Sequence, residues 1–138
     1  MTNTDVGIKL ILDASALKAY GHNATIGELL GEVEEEEALT AFSKGSLSQA
    51  LAEGADRSLL ELLIQRDSCT VLSPMSEWEE LGAFLRRVGP RLDVHDAYLV
   101  MAAFFYRGYI LTSDPARYIA IDKAVRCIPL HDPWGERG

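Results

Sequence analysis

The chain has 138 residues, and its 13 lysine and arginine residues against 21 aspartate and glutamate residues give a formal net charge of −8. This length suits a single domain over residues 1–138, and 48% apolar with 25% charged residues excludes a disordered or collagen-like chain. A pI near 4.8 argues against a protein that binds nucleic acid by broad charge attraction, because such proteins carry a basic surface.

The first half of the chain is predicted to alternate strands with helices. The elements in order are a strand at 6–12, a helix at 14–20, a helix from 25 into a glutamate run at 34–37, a strand at 38–42, and a helix from about 43–46 to 54. The first strand is apolar and β-branched, and it ends at Asp13. Thr25 and Glu28 have the spacing of a capping box, which places the start of the second helix.

The second half continues the same alternation. Its elements are a helix at 56–65, a strand at 69–72, a helix at 76–88, a helix at 94–107, a strand at 109–112, a helix opening at 114–115, and a strand at 125–129. Trp78, Leu81 and Leu85 have the spacing of a buried helix face. Asp93 is a candidate cap for the next helix, and Gly108 a candidate glycine after its end. Such alternation predicts parallel βαβ units in a three-layer α/β/α sandwich with a central parallel sheet.

The cysteines and the apolar runs predict a cytoplasmic protein with no membrane segment. Cys69 and Cys127 lie far apart in predicted strands without metal-binding spacing, so we expect both to be small buried apolar residues in a reducing compartment. The longest apolar run, 97–106, is about half of the roughly 20 residues that a membrane span needs. The N-terminus has no pattern of a secretory signal.

Three acidic residues are predicted to meet at one edge of the sheet. Asp13 follows the first strand, Asp114 follows the fourth, and Asp96 lies in the first turn of the helix that leads to the fourth. Ligands of open parallel sheets bind at the carboxyl ends of the strands. No lysine or arginine occurs in these three local motifs, so we expect a hard cation such as Mg²⁺ or Mn²⁺ to offset the repulsion between the carboxylates. Such an ion can activate water for phosphodiester hydrolysis.

Each acid also has a purely structural interpretation. Asp114 before Pro115 is a good helix cap, and Asp96 in a first turn suits the helix dipole. Asp13 could be a turn residue after its strand. A metal site is favoured because the predicted topology brings all three acids to one edge of the sheet, and no single acid would suggest it alone.

Three sequence blocks resemble the signature blocks of PIN domains. They are Leu-Ile-Leu-Asp-Ala-Ser-Ala-Leu at 10–17, Asp-Ala at 96–97, and Leu-Thr-Ser-Asp-Pro at 111–115. Within that family the chain resembles the VapC-like toxin ribonucleases, over nearly its whole length. That resemblance implies an Mg²⁺- or Mn²⁺-dependent endoribonuclease with an RNA substrate, often a homodimer, which a cognate antitoxin protein inhibits. By the same resemblance Asp13, Asp96 and Asp114 match metal-site acids, and Ser15 and Ser113 match hydroxyl positions that support the site.

The chain departs from the family where a second acid, most often glutamate, is expected. That position holds Gln49, which keeps an oxygen acceptor without the charge. Ser46 and Gln49 also have capping-box spacing, which is a structural reason for the glutamine. Glu53, one helical turn later, could compensate for the missing charge. Glu28 or Glu32 could approach from the neighbouring helix.

Two functional hypotheses therefore remain. The first is a PIN-type endoribonuclease with impaired or intact metal binding. The second is a catalytically degenerate PIN-fold module that acts through protein or RNA contacts. His95 is expected to face away from Asp96, since neighbours on a helix point about 100° apart. The aromatic run at 104–106 is expected in the core and a dimer surface, and Arg86, Arg87 and Arg91 form a basic cluster that solvent exposure alone explains.

Overall fold

The computed structural model describes residues 7–72, 78–89 and 93–130. The strands are β1 (Ile8–Leu12), β2 (Leu39–Ser43), β3 (Cys69–Leu72), β4 (Tyr109–Thr112) and β5 (Cys127–Pro129). The helices are α1 (Ala14–Ala19), α2 (Ala24–Glu35), α3 (Lys44–Ala52), α4 (Arg57–Ile64), α5 (Trp78–Val88), α6 (Val94–Tyr106) and α7 (Pro115–Ile119). Five strands with helices on both faces confirm the predicted three-layer α/β/α sandwich.

The five strands form one parallel sheet in the order β3-β2-β1-β4-β5. The chain builds outward from β1 through β2 to β3, and then returns to place β4 on the other side of β1. In register, Leu10 lies opposite Thr40 of β2 and Tyr109 of β4. The strand order therefore reverses between β1 and β4, and the residues that follow these two strands come to one edge of the sheet.

A separate apolar core lies on each face of the sheet. Ile11 and Ile110 pack on one face, where α6 contributes an almost continuously buried run from Ala97 to Ala103. Leu10 and Leu12 point to the opposite face and pack there with residues of α1, α2 and α4. Both faces of β1 are therefore covered, and four of its five residues are buried ahead of Asp13.

Two helix starts differ from the predicted capping boxes. Asn23 caps α2, and its side chain accepts a hydrogen bond from the backbone N–H of Thr25 at 2.9 Å. Ser43 caps α3, and its Oγ accepts from the N–H of Ser46 at 3.0 Å. The predicted pairing of Ser46 with Gln49 was therefore wrong, since Ser46 already lies inside the helix.

The end of α6 also differs from the expected glycine cap. Arg107 adopts the left-handed conformation at φ 60°, and Gly108 follows it. A Cβ atom on Gly108 would lie 3.0 Å from the carbonyl oxygens of both Ile8 and Lys9. Gly108 thus lies where β4 closely approaches β1, and the left-handed residue at the turn is Arg107.

Several aromatic residues are more exposed than expected. Trp78 is 67% exposed at the start of α5, and Phe84 is buried on that helix beside Leu81. Phe105 is 78% exposed, so the aromatic run at 104–106 lies outside the core. The predicted helix start at residue 76 and Arg91 of the predicted basic cluster fall outside the described residues.

The two cysteines are less buried than expected. Cys69 and Cys127 are free and partly buried, and burial raises the pKa of both thiols. Each packs against one of the apolar cores, as expected for a small apolar side chain. Within the three described ranges, every helix is too short or too polar to cross a bilayer.

Candidate functional site

A cleft of about 610 Å³ opens where β1 and β4 end. It lies at the reversal of strand order, which is where the sequence placed the site. The residues predicted for the site all line it, and they are Asp13, Ser15, Gln49, Asp96, Ser113 and Asp114. Glu53 lies on its wall as well, whereas Glu28 and Glu32 do not.

Asp13 is the most firmly held acid of the cleft. It caps α1, and its Oδ1 accepts hydrogen bonds from Ser15 Oγ at 2.6 Å and from the N–H of Ala16 at 3.0 Å. Its Oδ2 accepts from the hydroxyl of Tyr118 at 2.8 Å. The residue is 4% exposed. Three donors fix the orientation of this carboxylate and offset the cost of burying its charge.

Tyr118 was not singled out in the sequence, although it supplies one of these donors. It lies in α7 and is 1% exposed. Burial raises its pKa far above the ordinary value, and the negative charge of Asp13 raises the pKa further. The hydroxyl therefore keeps its proton and remains a hydrogen-bond donor to Asp13 across the physiological pH range.

The two serines and Asp114 form the rim at the end of β4. Ser15 Oγ accepts from the N–H of Ser113 at 2.9 Å, which joins α1 to the segment that follows β4. Asp114 occupies the cap position of α7 with Pro115 behind it, but its side chain makes no capping hydrogen bond. Its N–H instead donates to Thr112 Oγ1 at 3.0 Å. The exposed carboxylate of Asp114 is thus not committed to the helix cap, and it lines the cleft.

Asp96 does not stand unpaired, and the expectation of a cleft without a basic partner was wrong. Arg117 Nε donates to Asp96 Oδ2 at 2.6 Å across a separation of 21 residues. The side chain of Asp96 is 9% exposed and that of Arg117 is 52% exposed. The ion pair raises the pKa of the Arg117 guanidinium. Arg117 was missed in the sequence, because its pairing with Asp96 is a tertiary contact made from a helix of only five residues.

His95 faces the cleft, contrary to expectation. Its Nε2 lies 2.6 Å from Ser43 Oγ and 3.2 Å from Ser46 Oγ, at the start of α3. Asp93, His95 and Asp96 offer three possible ligand atoms that all lie within 4.8 Å of one another. Asp93 caps the start of α6, and its Oδ1 accepts from the N–H of Asp96 at 3.0 Å. Asp93 and His95 were therefore missed as cleft residues.

The position of the missing acid is occupied by a polar pair. Gln49 Nε2 donates to Glu53 Oε2 one turn later on α3. Lys18 of α1 pairs with Glu53 Oε1 at 3.2 Å. The hydrogen bond from Gln49, and then that from Lys18, lowers the pKa of Glu53. Glu53 is thus charged at the cleft wall one turn from Gln49, as the spacing predicted.

The donor chemistry of the cleft fits a hard divalent cation. Asp13, Asp96 and Asp114 line the cleft with carboxylates, whose oxygens Mg²⁺ and Mn²⁺ prefer. Among the described residues, however, the group with three possible ligand atoms within 4.8 Å of one another is Asp93, His95 and Asp96. In the lining, five acidic side chains face two basic ones, so a cation would relieve the excess negative charge. The compact group around His95 shares Asp96 with these acids and adds a nitrogen ligand that Mn²⁺ accepts more readily than Mg²⁺ does.

Comparison with known proteins assigns no family. No protein-family model matches the chain, and no curated protein is significantly similar to it.

Proposed function

We propose that this protein is a divalent-metal-dependent endoribonuclease of PIN type, and the toxin of a toxin–antitoxin module in the cytoplasm. The observation that carries the proposal is the gathering of Asp13, Asp96 and Asp114 around one cleft at the reversal of strand order. The three acids lie far apart in the sequence, and the fold brings them to the same cleft. The partners we propose are an RNA substrate, a cognate antitoxin and a second copy of the chain.

The cleft residues would have different roles in the proposed reaction. Asp13, Asp96 and Asp114 would hold the cation, which when bound lowers the pKa of a water ligand and stabilises charge on a phosphodiester. Ser15 fixes Asp13 and the backbone after β4 through two hydrogen bonds. Tyr118 holds the second oxygen of Asp13. These contacts orient the carboxylates before any ligand arrives, which reduces the reorganisation that binding requires.

Substitution of Asp96 by asparagine tests this function. We expect Asp96→Asn to abolish Mg²⁺- or Mn²⁺-dependent cleavage of single-stranded RNA, because it removes a ligand charge while retaining the shape of the side chain. Asp67→Asn is a matched control, since Asp67 is exposed and lies outside the cleft. Cleavage that continues in Asp96→Asn, or that needs no divalent cation, would contradict the proposal.

A second candidate is a PIN-fold binding module that has lost catalysis. Two observations favour it: the uncharged Gln49 where the family has an acid, and the arginine already paired with Asp96. Both reduce the negative charge available to a cation. The module would act through contacts with a protein or an RNA, with no hydrolysis.

The variant Gln49→Glu separates the two candidates. We expect it to strengthen Mn²⁺ binding by roughly tenfold in a calorimetric titration, because one added carboxylate contributes about 1–2 kcal/mol near a cation at a partly exposed site. An accompanying rise in RNA cleavage supports a nuclease with a weakened site. Tighter metal binding without any cleavage, in this variant and in the natural protein, supports the binding module.

A further inference from the structure

The cleft holds a cation of its own, the guanidinium of Arg117. It lies at the end of α7 and reaches across to Asp96, an acid whose side chain is 9% exposed. A buried carboxylate is costly unless a positive charge or several donors satisfy it. Asp13 is satisfied by three neutral donors. Asp96 instead depends on a charged side chain that a competing cation can replace.

Arg117 is also exposed enough to move away from Asp96 into solvent. Its side chain is 52% exposed, and the bond to Asp96 uses Nε, one of the five N–H groups of a guanidinium. The ring of Tyr118 lies under the guanidinium, with 5.9 Å from Cζ to the ring centroid. A planar guanidinium at the mouth of a cleft is suited to bidentate contact with a phosphate.

We propose that Arg117 exchanges Asp96 for a phosphate of the RNA when a divalent cation binds. Without a cation, the positive charge of Arg117 neutralises the carboxylate of Asp96. With a cation at Asp96, the guanidinium is released and binds the phosphodiester backbone beside the metal acids. Arg117 is therefore a positioning residue that couples metal binding to RNA binding. The inference rests on the proposed nuclease function, because it requires a cation at Asp96.

The exchange predicts opposite effects of one substitution on two ligands. In Arg117→Gln the competition for Asp96 is removed, so we expect Mn²⁺ to bind roughly tenfold more tightly than to the natural protein. The same variant lacks the phosphate contact, so we expect RNA affinity at saturating Mn²⁺ to fall by roughly tenfold. By linkage, Mn²⁺ strengthens RNA binding in the natural protein and does so much less in the variant.

The experiment measures both ligands directly, without a cleavage assay. Mn²⁺ binding is followed by the paramagnetic resonance signal of the unbound ion. RNA binding is followed by fluorescence anisotropy of a labelled single-stranded 2′-O-methyl oligonucleotide. The matched control is Arg57→Gln, which removes the same charge from an exposed pair with Glu61 on α4, away from the cleft. Arg117→Lys, which retains the charge but not the fork, should bind Mn²⁺ like the natural protein and RNA less tightly.

The outcomes distinguish this inference from the function on which it rests. If Arg117→Gln binds Mn²⁺ no more tightly than the natural protein, or binds RNA equally well, the exchange is wrong, whereas loss of cleavage in Asp96→Asn would still support the nuclease. If no variant binds Mn²⁺, the proposed metal-dependent function is itself overturned, and the exchange with it. Thermal unfolding of each variant shows whether it is folded. If Arg117→Gln does not fold, the RNA affinity of Arg117→Lys tests the exchange instead.

Discussion

At the scale of single residues, the cleft is organised by the way each carboxylate is satisfied. Asp13 receives three donors from two helices, and Asp96 receives one guanidinium. Neutral donors stay in place when a cation arrives, but a cationic partner is repelled by it. The two buried acids of the cleft are thus held differently: in the proposed metal site Asp13 would be a fixed ligand and Asp96 an exchangeable one.

The hydroxyl of Tyr118 offers a test of how Asp13 is held. Tyr118→Phe removes a donor to a buried carboxylate and changes the shape of the core very little, so we expect a loss of about 1–3 kcal/mol in the free energy of unfolding. Urea unfolding at pH 7 measures it. Tyr106→Phe is the control, since Tyr106 is 38% exposed and lies outside the cleft. Equal stability of the two variants would show that the hydrogen bond to Asp13 contributes little.

The same tyrosine gives the protein a pH dependence at the alkaline end. The pKa of Tyr118 is raised in the folded state by burial and by Asp13, above its ordinary value of 10.0. The folded state therefore binds this proton more tightly than the unfolded state does. Its contribution to stability is complete below pH 10 and declines as the pH rises above it. Between pH 9 and pH 11 the free energy of unfolding of Tyr118→Phe should fall less than that of the natural protein. Equal decreases in the two proteins would show that Tyr118 does not cause the pH dependence.

At the scale of elements, two glycines that look alike in the sequence have opposite roles. Gly108 brings β4 against β1, where an added Cβ would lie 3.0 Å from two backbone oxygens. Gly82 lies inside α5, and no heavy atom is within 4 Å of the corresponding position. We expect Gly108→Ala to destabilise the protein by about 1–3 kcal/mol, and Gly82→Ala to stabilise it by about 0.5–1 kcal/mol.

Thermal unfolding of these two glycine variants checks both signs. The β1–β4 pair carries the two strand ends at the cleft, so Gly108→Ala should also weaken Mn²⁺ binding, whereas Gly82→Ala should leave it unchanged. A Gly108→Ala protein as stable as the natural one would show that the strands can separate enough to admit a methyl group.

The strands were predictable because their apolar residues are local in sequence. The ends of the third and fourth strands, Cys69–Leu72 and Tyr109–Thr112, coincide with the predicted ones, and the second begins one residue later than expected. Helix starts were less predictable, because Asn23 and Ser43 compete with neighbouring residues that can also cap. The exposure of Trp78 was not predictable from periodicity, which identifies a face but not what packs against it.

The site was predictable where topology alone determines position, and not where a tertiary contact does. Asp13 and Asp114 follow neighbouring parallel strands, so the fold brings them together. Arg117 and Tyr118 lie on a five-residue helix whose faces cannot be assigned from a pattern so short. The orientation of His95 depends on Ser43 and Ser46 of another helix, which a rule about neighbours on one helix does not include.

At the scale of the whole molecule, the net charge of −8 limits the ways in which the proposed RNA substrate could bind. A surface with this charge repels a polyanion, so the proposed function requires that attraction be local to the cleft and depend on a cation there. We expect single-stranded RNA to bind measurably in Mg²⁺ or Mn²⁺ and very weakly in EDTA. Fluorescence anisotropy at constant ionic strength measures this difference, and equal binding in both buffers would locate the RNA contact outside the proposed metal site.

The sheet order has a consequence for the synthesis of the protein. The cleft joins Ser15 to Ser113 and Asp13 to Tyr118, pairs that are 98 and 105 residues apart. A growing chain can complete β1, β2 and β3 with their helices, yet it lacks half of the cleft lining until residues 93–118 emerge from the ribosome. Contacts this distant in sequence also form slowly. The proposed nuclease would therefore be inactive during synthesis until the segment with Ser113 and Tyr118 has joined the segment that follows β1.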